Sequence, residues 1–359
     1  MRLSELEGRS DITIGCRFEA EFLMETPSPS ALILSLPKAE LHLHLEGSIE
    51  PDTLRELIRR HGSAAEADEV ERLYEYRDFP GFLTAFKNIT AHLRTPEDYE
   101  FITYALMQQL RKQNVLHAEV IVSVGVCLWR KQDFAAIFES LERGRERGER
   151  DFGVSLLWIF DAVRQFGAEK AQAVAELAAR CRDRNVVAFG IGGDELKGPP
   201  ELFRDVYSYA ADQGLHLTAH AGETAGPESI WGALNLRAER LGHALTAGRD
   251  SELLEELSQR QIPIEVCVTS NLRTNCCTSL AQHPVKSFFD HGLMITLNSD
   301  DPGMFQTSLA CEYQLVQDRF GFTDEHLREL ARNSFEASFL PAGRKLHFLN
   351  LFDSVAARQ

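Results

Sequence analysis

A pair of histidines in the segment Leu41-His42-Leu43-His44-Leu45 is the clearest chemical feature of this sequence. If the segment is a strand, His42 and His44 project to one side and the leucines to the other, because side chains alternate along a strand. Two neutral imidazoles on one face are suited to bind zinc. Two partly buried structural histidines are the alternative interpretation of the same pattern.

A second motif, His220-Ala221-Gly222-Glu223, follows another short apolar run. His220 would close a strand, and Glu223 would lie on the loop after it, where a carboxyl group reaches a substrate beside the metal. His216 has the same strand phase as His220 but lies near the start of that strand, so we expect a structural role for it. His243 ends the next apolar run, and by itself it is weak evidence of function.

Two adjacent acids, Asp300 and Asp301, end the last apolar run before Pro302. Their side chains must point in different directions, so one can bind a metal while the other contacts a substrate. A simple Asp-Pro turn is the alternative interpretation. Taken together, these strand-end residues predict a catalytic metal site with an open coordination position. Its expected ligands to one zinc ion per chain are His42, His44, His220 and Asp300.

These candidates need a fold that brings distant strand ends together. Eight short apolar runs are predicted as strands, at residues 40–45, 115–123, 152–160, 186–191, 215–220, 240–243, 262–269 and 293–298. Helix-like stretches separate most of them, so we expect a parallel sheet. We predict an α/β fold, a (β/α)8 TIM barrel with its site at the carboxyl ends of the strands. An open doubly wound sheet is the alternative, although Gly190-Ile191-Gly192-Gly193-Asp194 lacks the spacing of a dinucleotide-binding fingerprint.

The predicted barrel covers residues 36–350 and carries a helical insertion at about 47–114, after the first strand. Residues 1–35 are predicted as a polar N-terminal extension, for which disorder is one interpretation. An excursion from the catalytic end of a barrel strand often forms a lid. Four apolar residues lie at helical spacing within it, and they fit either a helix core or an apolar wall over a bound ring. They are Phe79, Phe82, Leu83 and Phe86.

The composition is that of a globular protein, with 359 residues, 44% apolar and 26% charged. The formal charge is 38 minus 54, or −16, which argues against nucleic acids and anionic membranes as partners, since both are negative. Seven cysteines without a Cys-x-x-Cys pair indicate reduced thiols in a cytoplasmic protein. No apolar run approaches the roughly 20 residues of a membrane span. We expect a small-molecule substrate, and the choice between a monomer and a homodimer stays open.

The blocks LHLHLEG, HAGE, ERLGH, TSN and NSDDP, in this order, resemble the adenosine deaminase family. That family includes adenine and aminofutalosine deaminases, and the resemblance covers about residues 36 to 345. It implies the barrel fold, a zinc ion and the hydrolytic deamination of a purine.

The resemblance also implies roles for single residues. The zinc ligands it implies are His42, His44, His220 and Asp300. Glu223 matches the proton donor to purine N1, and His243 and Asp301 match the groups that orient the attacking hydroxide. Gly193 matches a backbone contact to the base. The residues expected at the substrate are His44, Glu46, Gly193 and Asp301.

Several positions depart from the family pattern. Glu46 stands where adenosine deaminases usually carry the aspartate that contacts the ribose. Gly190 stands where an aspartate often occurs, and Ala244 replaces the glycine that usually follows the catalytic histidine. Asn275-Cys276-Cys277 replaces a segment that is commonly Thr-Gly-Ala. These changes leave the metal and proton-transfer groups intact, but they weaken the case for plain adenosine as the substrate.

We therefore expect zinc-dependent deamination of a 6-aminopurine nucleoside, from an adenosine-type to an inosine-type compound plus ammonia. Aminodeoxyfutalosine, an intermediate of menaquinone biosynthesis, and free adenine are alternative substrates. An amide or ester metallohydrolase on the same barrel is an alternative class, which would not need a proton donor to a ring nitrogen. A non-catalytic relative that binds a purine or a protein is a third hypothesis, which the complete set of ligands and acids disfavours.

Overall fold

Eight parallel strands form the centre of the fold in a computed structural model that describes residues 28–63 and 67–356. The strands are β1 (Lys38–His44), β2 (Val115–Val122), β3 (Ser155–Val163), β4 (Val186–Gly192), β5 (His216–Ala221), β6 (Arg240–His243), β7 (Ile264–Val266) and β8 (Ile295–Leu297). Each strand pairs in parallel with the next one along the chain. Backbone hydrogen bonds from His44 N to Asp300 O (2.8 Å) and from Asp300 N to His42 O (3.1 Å) join the last strand to the first. The predicted (β/α)8 barrel is confirmed, and the open-sheet alternative is wrong.

Helices cover the outside of the barrel, as expected for parallel strands that are buried on both faces. Those of the described residues are α1 (Ala31–Ser35), α2 (Pro51–Arg60), α3 (Ala67–Arg72), α4 (Phe79–Thr90), α5 (Pro96–Lys112), α6 (Val124–Trp129), α7 (Phe134–Phe152), α8 (Ala168–Cys181), α9 (Arg204–Asp212), α10 (Pro227–Asn235), α11 (Ser251–Arg260), α12 (Val268–Arg273), α13 (Val285–Asp290), α14 (Pro302–Phe305), α15 (Leu309–Phe320), α16 (Asp324–Glu336) and α17 (Ala342–Ala356). Within these described ranges, no helix is long and apolar enough to cross a membrane.

Two observed strands differ from their predicted bounds for local reasons. The strand predicted at 152–160 begins three residues later, because α7 continues until Gly153, whose φ of 69° is typical of a left-handed helix C-cap. β3 also ends later than predicted and therefore includes Asp161. The strand predicted at 262–269 is shorter, because the chain turns into α12 soon after β7.

β1 contains a bulge directly before its histidines. Its pairing register passes from Glu40 to Leu43 while β2 advances by only two residues, so β1 carries one extra residue there. The side-chain oxygen of Asn298, at the end of β8, accepts hydrogen bonds from the backbone of Leu41 (2.9 Å) and His42 (3.1 Å). This contact pairs amides that the bulge removes from the regular ladder.

The chain between β1 and β2 forms helices α2 to α5. The side chain of Asp78 caps the N-terminus of α4. This helix reaches the carboxyl ends of the strands, where Phe79, Leu83 and Phe86 face the same cavity as His44. The excursion therefore contributes a wall to the site.

The described chain begins within the stretch predicted as an N-terminal extension, and residues 31–35 form α1 there. The backbone nitrogen of Ser30 donates to Gln314 Oε1 (2.9 Å), and the side chains of Ile33 and Leu36 are fully buried. Helix α1 thus packs as part of the barrel core. Residues 1–27 of the predicted extension lie outside the described residues.

A buried ion cluster spans the interior of the barrel. The guanidinium of Arg240 on β6 lies 2.5 Å from Glu119 of β2 and 2.6 Å from Glu265 of β7. Burial alone would raise the pKa of Glu119, but Arg240 and His117 together outweigh it and lower that pKa to about 2. The cluster therefore holds three strands together by charge.

Candidate active site

The four predicted metal ligands converge at the carboxyl ends of the strands. His42 and His44 end β1, His220 lies on β5, and Asp300 follows β8. The Nε2 atoms of His44 and His220 are 3.2 Å apart, and Asp300 Oδ1 lies 3.2 Å from His42 Nε2 and 3.3 Å from His44 Nε2. One ligand atom from each residue lies within 4.8 Å of all the others. The fold thus brings together residues that are up to 258 positions apart in the sequence, from 42 to 300.

This donor set fits a divalent metal. Among the described residues, His42 Nε2 and Asp300 Oδ1 are buried without a hydrogen-bond partner, which is uncommon for polar atoms unless a ligand satisfies them. The other ring nitrogens are occupied, because His42 Nδ1 lies 2.7 Å from Glu265 Oε2 and His220 Nδ1 lies 3.2 Å from Ile191 O. Outer contacts of this kind orient metal-binding imidazoles so that Nε2 faces the ion. Three imidazoles and one carboxylate are typical zinc donors.

The protonation of these groups also suits metal binding. Burial lowers the pKa of His44 to about 4 and that of His220 well below its ordinary value, so both rings have a free lone pair at neutral pH. Burial also lowers the pKa of His42, but the neighbouring carboxylates of Asp300 and Glu265 outweigh it and raise that pKa to about 10. A metal that binds His42 must therefore displace a proton.

Glu223 lies on the loop after β5, buried beside the ligands. Burial first, and then the charges of Asp300 and Glu195, raises the pKa of Glu223 well above its ordinary value, which favours the protonated acid. The backbone of this loop is held by one carboxylate, because Glu195 accepts hydrogen bonds from the amides of Gly222, Glu223 and Thr224, each at 2.8 Å. The acid is thus fixed in place in surroundings that favour its protonated form.

A chain of hydrogen bonds determines which nitrogen of His243 carries the proton. Val285 N donates to His283 Nδ1 (3.2 Å), so the proton of His283 is on Nε2, which donates to Asn271 Oδ1 (3.1 Å). The amide group of Asn271 then donates to His243 Nδ1 (3.0 Å). Burial lowers the pKa of His243 to about 3. The neutral ring therefore presents Nε2–H to the site, 3.8 Å from Glu223 Oε2.

Asp301 points away from the ligands that surround Asp300. Its Oδ1 atom is buried without a partner among the described residues. It packs so closely on Gly47 that a Cβ at that position would lie 1.8 Å from it. Burial, followed by the charge of Asp300, raises the pKa of Asp301 well above its ordinary value. A neutral carboxyl group at this place can donate or accept a hydrogen bond to a substrate.

The remaining predicted contacts, Glu46 and Gly193, also lie at the site. Glu46 is buried and accepts a hydrogen bond from Ser123 N (3.1 Å), and burial raises its pKa to about 7. Gly193 lines the cavity with a φ of 93°, and a Cβ on it would lie 2.5 Å from Gln165 Oε1. Only glycine fits this position, because both the backbone angle and the close contact exclude a side chain.

A cavity of about 340 Å³ leads from the metal ligands to the surface. Its walls are largely apolar, and α4 supplies one of them, while Phe82 is also part of the hydrophobic core. Trp129, 56% exposed, stacks on Phe166 at the opening, with ring centroids 5.9 Å apart. Lys87 and Arg130 add two cations to the lining. Both interpretations of the apolar spacing in α4 thus apply, because the same residues line the cavity and pack with the core.

Three residues at this site have no role in the sequence-based predictions. Asn271 lies in the Thr-Ser-Asn block and Glu195 ends a Gly-Gly-Asp-Glu run, so both belonged to recognised motifs. Asp161 closes the apolar run of β3, and the only signal for it is an acid at a strand end. The predicted strand stopped one residue before it, which removed that signal.

A TIM barrel with three histidines and one aspartate around a metal position, and a protonated carboxyl group beside it, defines a metal-dependent hydrolase. The model of the adenosine deaminase family matches residues 37–355, and the chain belongs to that family. It is a hydrolase of carbon–nitrogen bonds that deaminates aminopurine-type substrates.

Individual relatives cover nearly the whole chain. The aminodeoxyfutalosine deaminase of Streptomyces coelicolor is 38% identical over 333 residues, covering 91% of this chain and 86% of its own. The adenine deaminase of the same organism is 36% identical over 334 residues, covering 92% and 98%. A crystal structure of an amidohydrolase from Burkholderia ambifaria with bound Zn is 28% identical, with a TM-score of 0.83, covering 91% of this chain and 93% of that one.

Proposed function

We propose that this protein uses one zinc ion to deaminate a 6-aminopurine nucleoside. The observation that carries the proposal is the buried, protonated Glu223 beside the converging ligands, with Oε2 3.8 Å from the Nε2 of His243. Plain hydrolysis of an amide or an ester does not need a proton donor to a ring nitrogen. The Zn-bound relative supports zinc as the metal.

Each residue of the site has a task in this reaction. His42, His44, His220 and Asp300 would hold the zinc, which when bound would activate a water for attack on the ring carbon that bears the amine. Glu223 donates a proton to the ring nitrogen next to that carbon and so neutralises the charge that develops there. His243 directs Nε2–H toward the attacking oxygen.

Two further groups orient the purine ring. Gly193 offers its backbone amide to the base, and its lack of a side chain leaves room for the ring to approach. Asp301 presents a neutral carboxyl group to the other side of the purine, because burial and the neighbouring Asp300 raise its pKa. The polar groups thus fix the ring, while the apolar walls exclude water from it.

The cavity favours a nucleoside over a free base. A purine held at the metal leaves the outer part of the 340 Å³ cavity empty, including the apolar walls up to Trp129 and Phe166. A second candidate substrate is aminodeoxyfutalosine, an adenosine derivative with an aromatic carboxylate beyond its sugar. The aromatic walls and the cations Lys87 and Arg130 in the lining support it.

A substrate screen tests this proposal. Zinc-loaded protein is assayed for ammonia release from adenosine, aminodeoxyfutalosine and adenine, with kcat/KM measured for each. We expect a nucleoside to exceed adenine by at least about tenfold, equivalent to ~1.4 kcal/mol of transition-state binding. Adenine as the best substrate would overturn the nucleoside assignment, and no release from any of the three would overturn the function.

A further inference from the structure

The β4 strand leaves an unusual space beside the metal ligands. Gly190 and Gly192 lie on it, and a Cβ on Gly192 would be 3.2 Å from the ring of His220. The carboxyl group of Asp161, on the neighbouring strand, occupies this space. A Cβ on Gly190 would lie 3.0 Å from Asp161 Oδ1, and one on Gly192 would lie 3.2 Å from Oδ2.

The strand register explains how the side chain of Asp161 occupies the space beside both glycines of β4. Asp161 on β3 is paired directly with Gly190 on β4. Because neither glycine has a side chain, the carboxyl group of Asp161 leans over β4 and not back toward its own strand.

Asp161 faces the substrate cavity, and its carboxyl group forms no salt bridge with another described residue. Its side chain is 5% exposed, it lines the cavity, and no salt bridge to it occurs among the described residues. Burial raises its pKa to about 8, although the charge of Arg164 opposes this effect. The carboxyl group of Asp161 is therefore a buried polar group in the lining of a largely apolar cavity.

The polar edges of a purine are already matched by other groups. Glu223, Gly193 and Asp301 are assigned to the ring in the function proposed above, which leaves the sugar hydroxyls as the polar groups that Asp161 could meet. We propose that Asp161 is a specificity-determining residue that hydrogen-bonds a sugar hydroxyl of the nucleoside. This inference rests on the proposed function and adds a residue that the family motifs do not contain.

Paired ligands test the contact without depending on turnover. Purine riboside and purine differ only in the sugar, and their Kd values are measured by calorimetry on zinc-loaded wild type and on Asp161→Asn and Asp161→Ala. We expect both variants to lose about 10- to 100-fold in affinity for the riboside, the range of a hydrogen bond to a charged or buried group. Affinity for purine should change by less than about threefold.

The outcomes separate this inference from the function on which it rests. An equal loss for both ligands, or no loss for either, overturns the role of Asp161 while an active wild type keeps the proposed function. A wild type that deaminates no purine overturns the function itself. Melting temperature and zinc content, measured on every variant, show whether a loss of binding is a loss of folding.

Moving the carboxyl group from position 161 to position 190 provides a second, stricter test. Gly190→Asp alone should clash with the carboxyl group of Asp161 and lower the melting temperature. Adding Asp161→Ala vacates the space, so the double variant should be more stable than the sum of the single changes predicts. It should also bind purine riboside better than Asp161→Ala alone. Additive stabilities and no recovery of binding would show that the two positions do not share one carboxyl site.

Discussion

Asp300 and Asp301 have the same side chain and adjacent positions, but their pKa values shift in opposite directions. Burial would raise the pKa of Asp300, but the close contact with His42 and the charges of the surrounding histidines outweigh it and lower that pKa well below its usual range. Asp300 has a φ of 62°, which turns its side chain toward the histidines. Asp301 faces away, and burial and the charge of Asp300 raise its pKa. The left-handed backbone at Asp300 thus points two adjacent carboxyl groups in different directions and gives them different environments.

Glu223→Gln tests the proposed proton donor at the same scale. The amide has the shape of the carboxyl group but cannot transfer a proton to the ring. We expect kcat to fall by about 10²- to 10⁴-fold, while zinc content and melting temperature stay at wild-type values. Steady-state assays with the best purine substrate give the result. Retained activity would instead favour an amide or ester hydrolase.

The same acid predicts the direction of the pH dependence. The proposed reaction requires protonated Glu223, and burial raises the pKa of this group, so kcat/KM should fall as the pH rises through that pKa. Because the amide does not titrate, the alkaline fall should be absent from the residual activity of Glu223→Gln. An unchanged alkaline fall in the variant would assign it to another group.

At the scale of elements, the short turn after β1 determines where Asp301 lies. The turn spans Glu46–Ser48, and Asp301 packs in the space that a side chain at Gly47 would fill.

The alternation of side chains along β1 predicted that His42 and His44 lie on the same side of the strand. The bulge before them was not predictable, because it depends on Asn298, a residue more than 250 positions away.

Gly47→Ala should therefore lower activity through Asp301. The new methyl group would overlap Asp301 Oδ1 at 1.8 Å, and a displacement of about 1 Å at a positioning group costs on the order of 10²-fold in rate. Zinc content should be unchanged, since no metal ligand moves. Gly248→Ala is the matched control, because its Cβ would meet only one atom, at 3.9 Å. Equal effects of the two substitutions on kcat/KM would contradict the packing role.

At the scale of the whole molecule, the barrel interior depends on a few buried charges. Arg240 contacts Glu119 and Glu265, and Glu265 in turn orients His42. We expect Arg240→Met to lower the free energy of unfolding by about 3–5 kcal/mol, because it removes the cation that two buried carboxylates share. Arg260→Met, which removes an exposed pair with Glu256, should cost less than about 1 kcal/mol. Denaturant titration of both variants compares them, and equal costs would show that the cluster contributes no more than a surface pair.

Much of this molecule could be predicted from the sequence, because strand alternation and strand-then-helix repetition are local patterns. The barrel and the convergence of His42, His44, His220 and Asp300 follow from them. Contacts between distant segments leave no such pattern. The pairing of Asp161 with Gly190, the loop held by Glu195 and the path of α4 across the cavity all depend on the closed fold, so they required the structure.

The helix α4 forms a wall of the cavity but supplies none of the metal ligands. In evolutionary terms, one wall of the cavity therefore lies in a stretch of sequence that is separate from the metal ligands. We expect substitutions at Phe79, Leu83 and Phe86 to change the shape of the cavity without loss of the metal. A mutant library confined to these three positions is accordingly the place to start laboratory evolution of this enzyme toward other amino-substituted ring compounds.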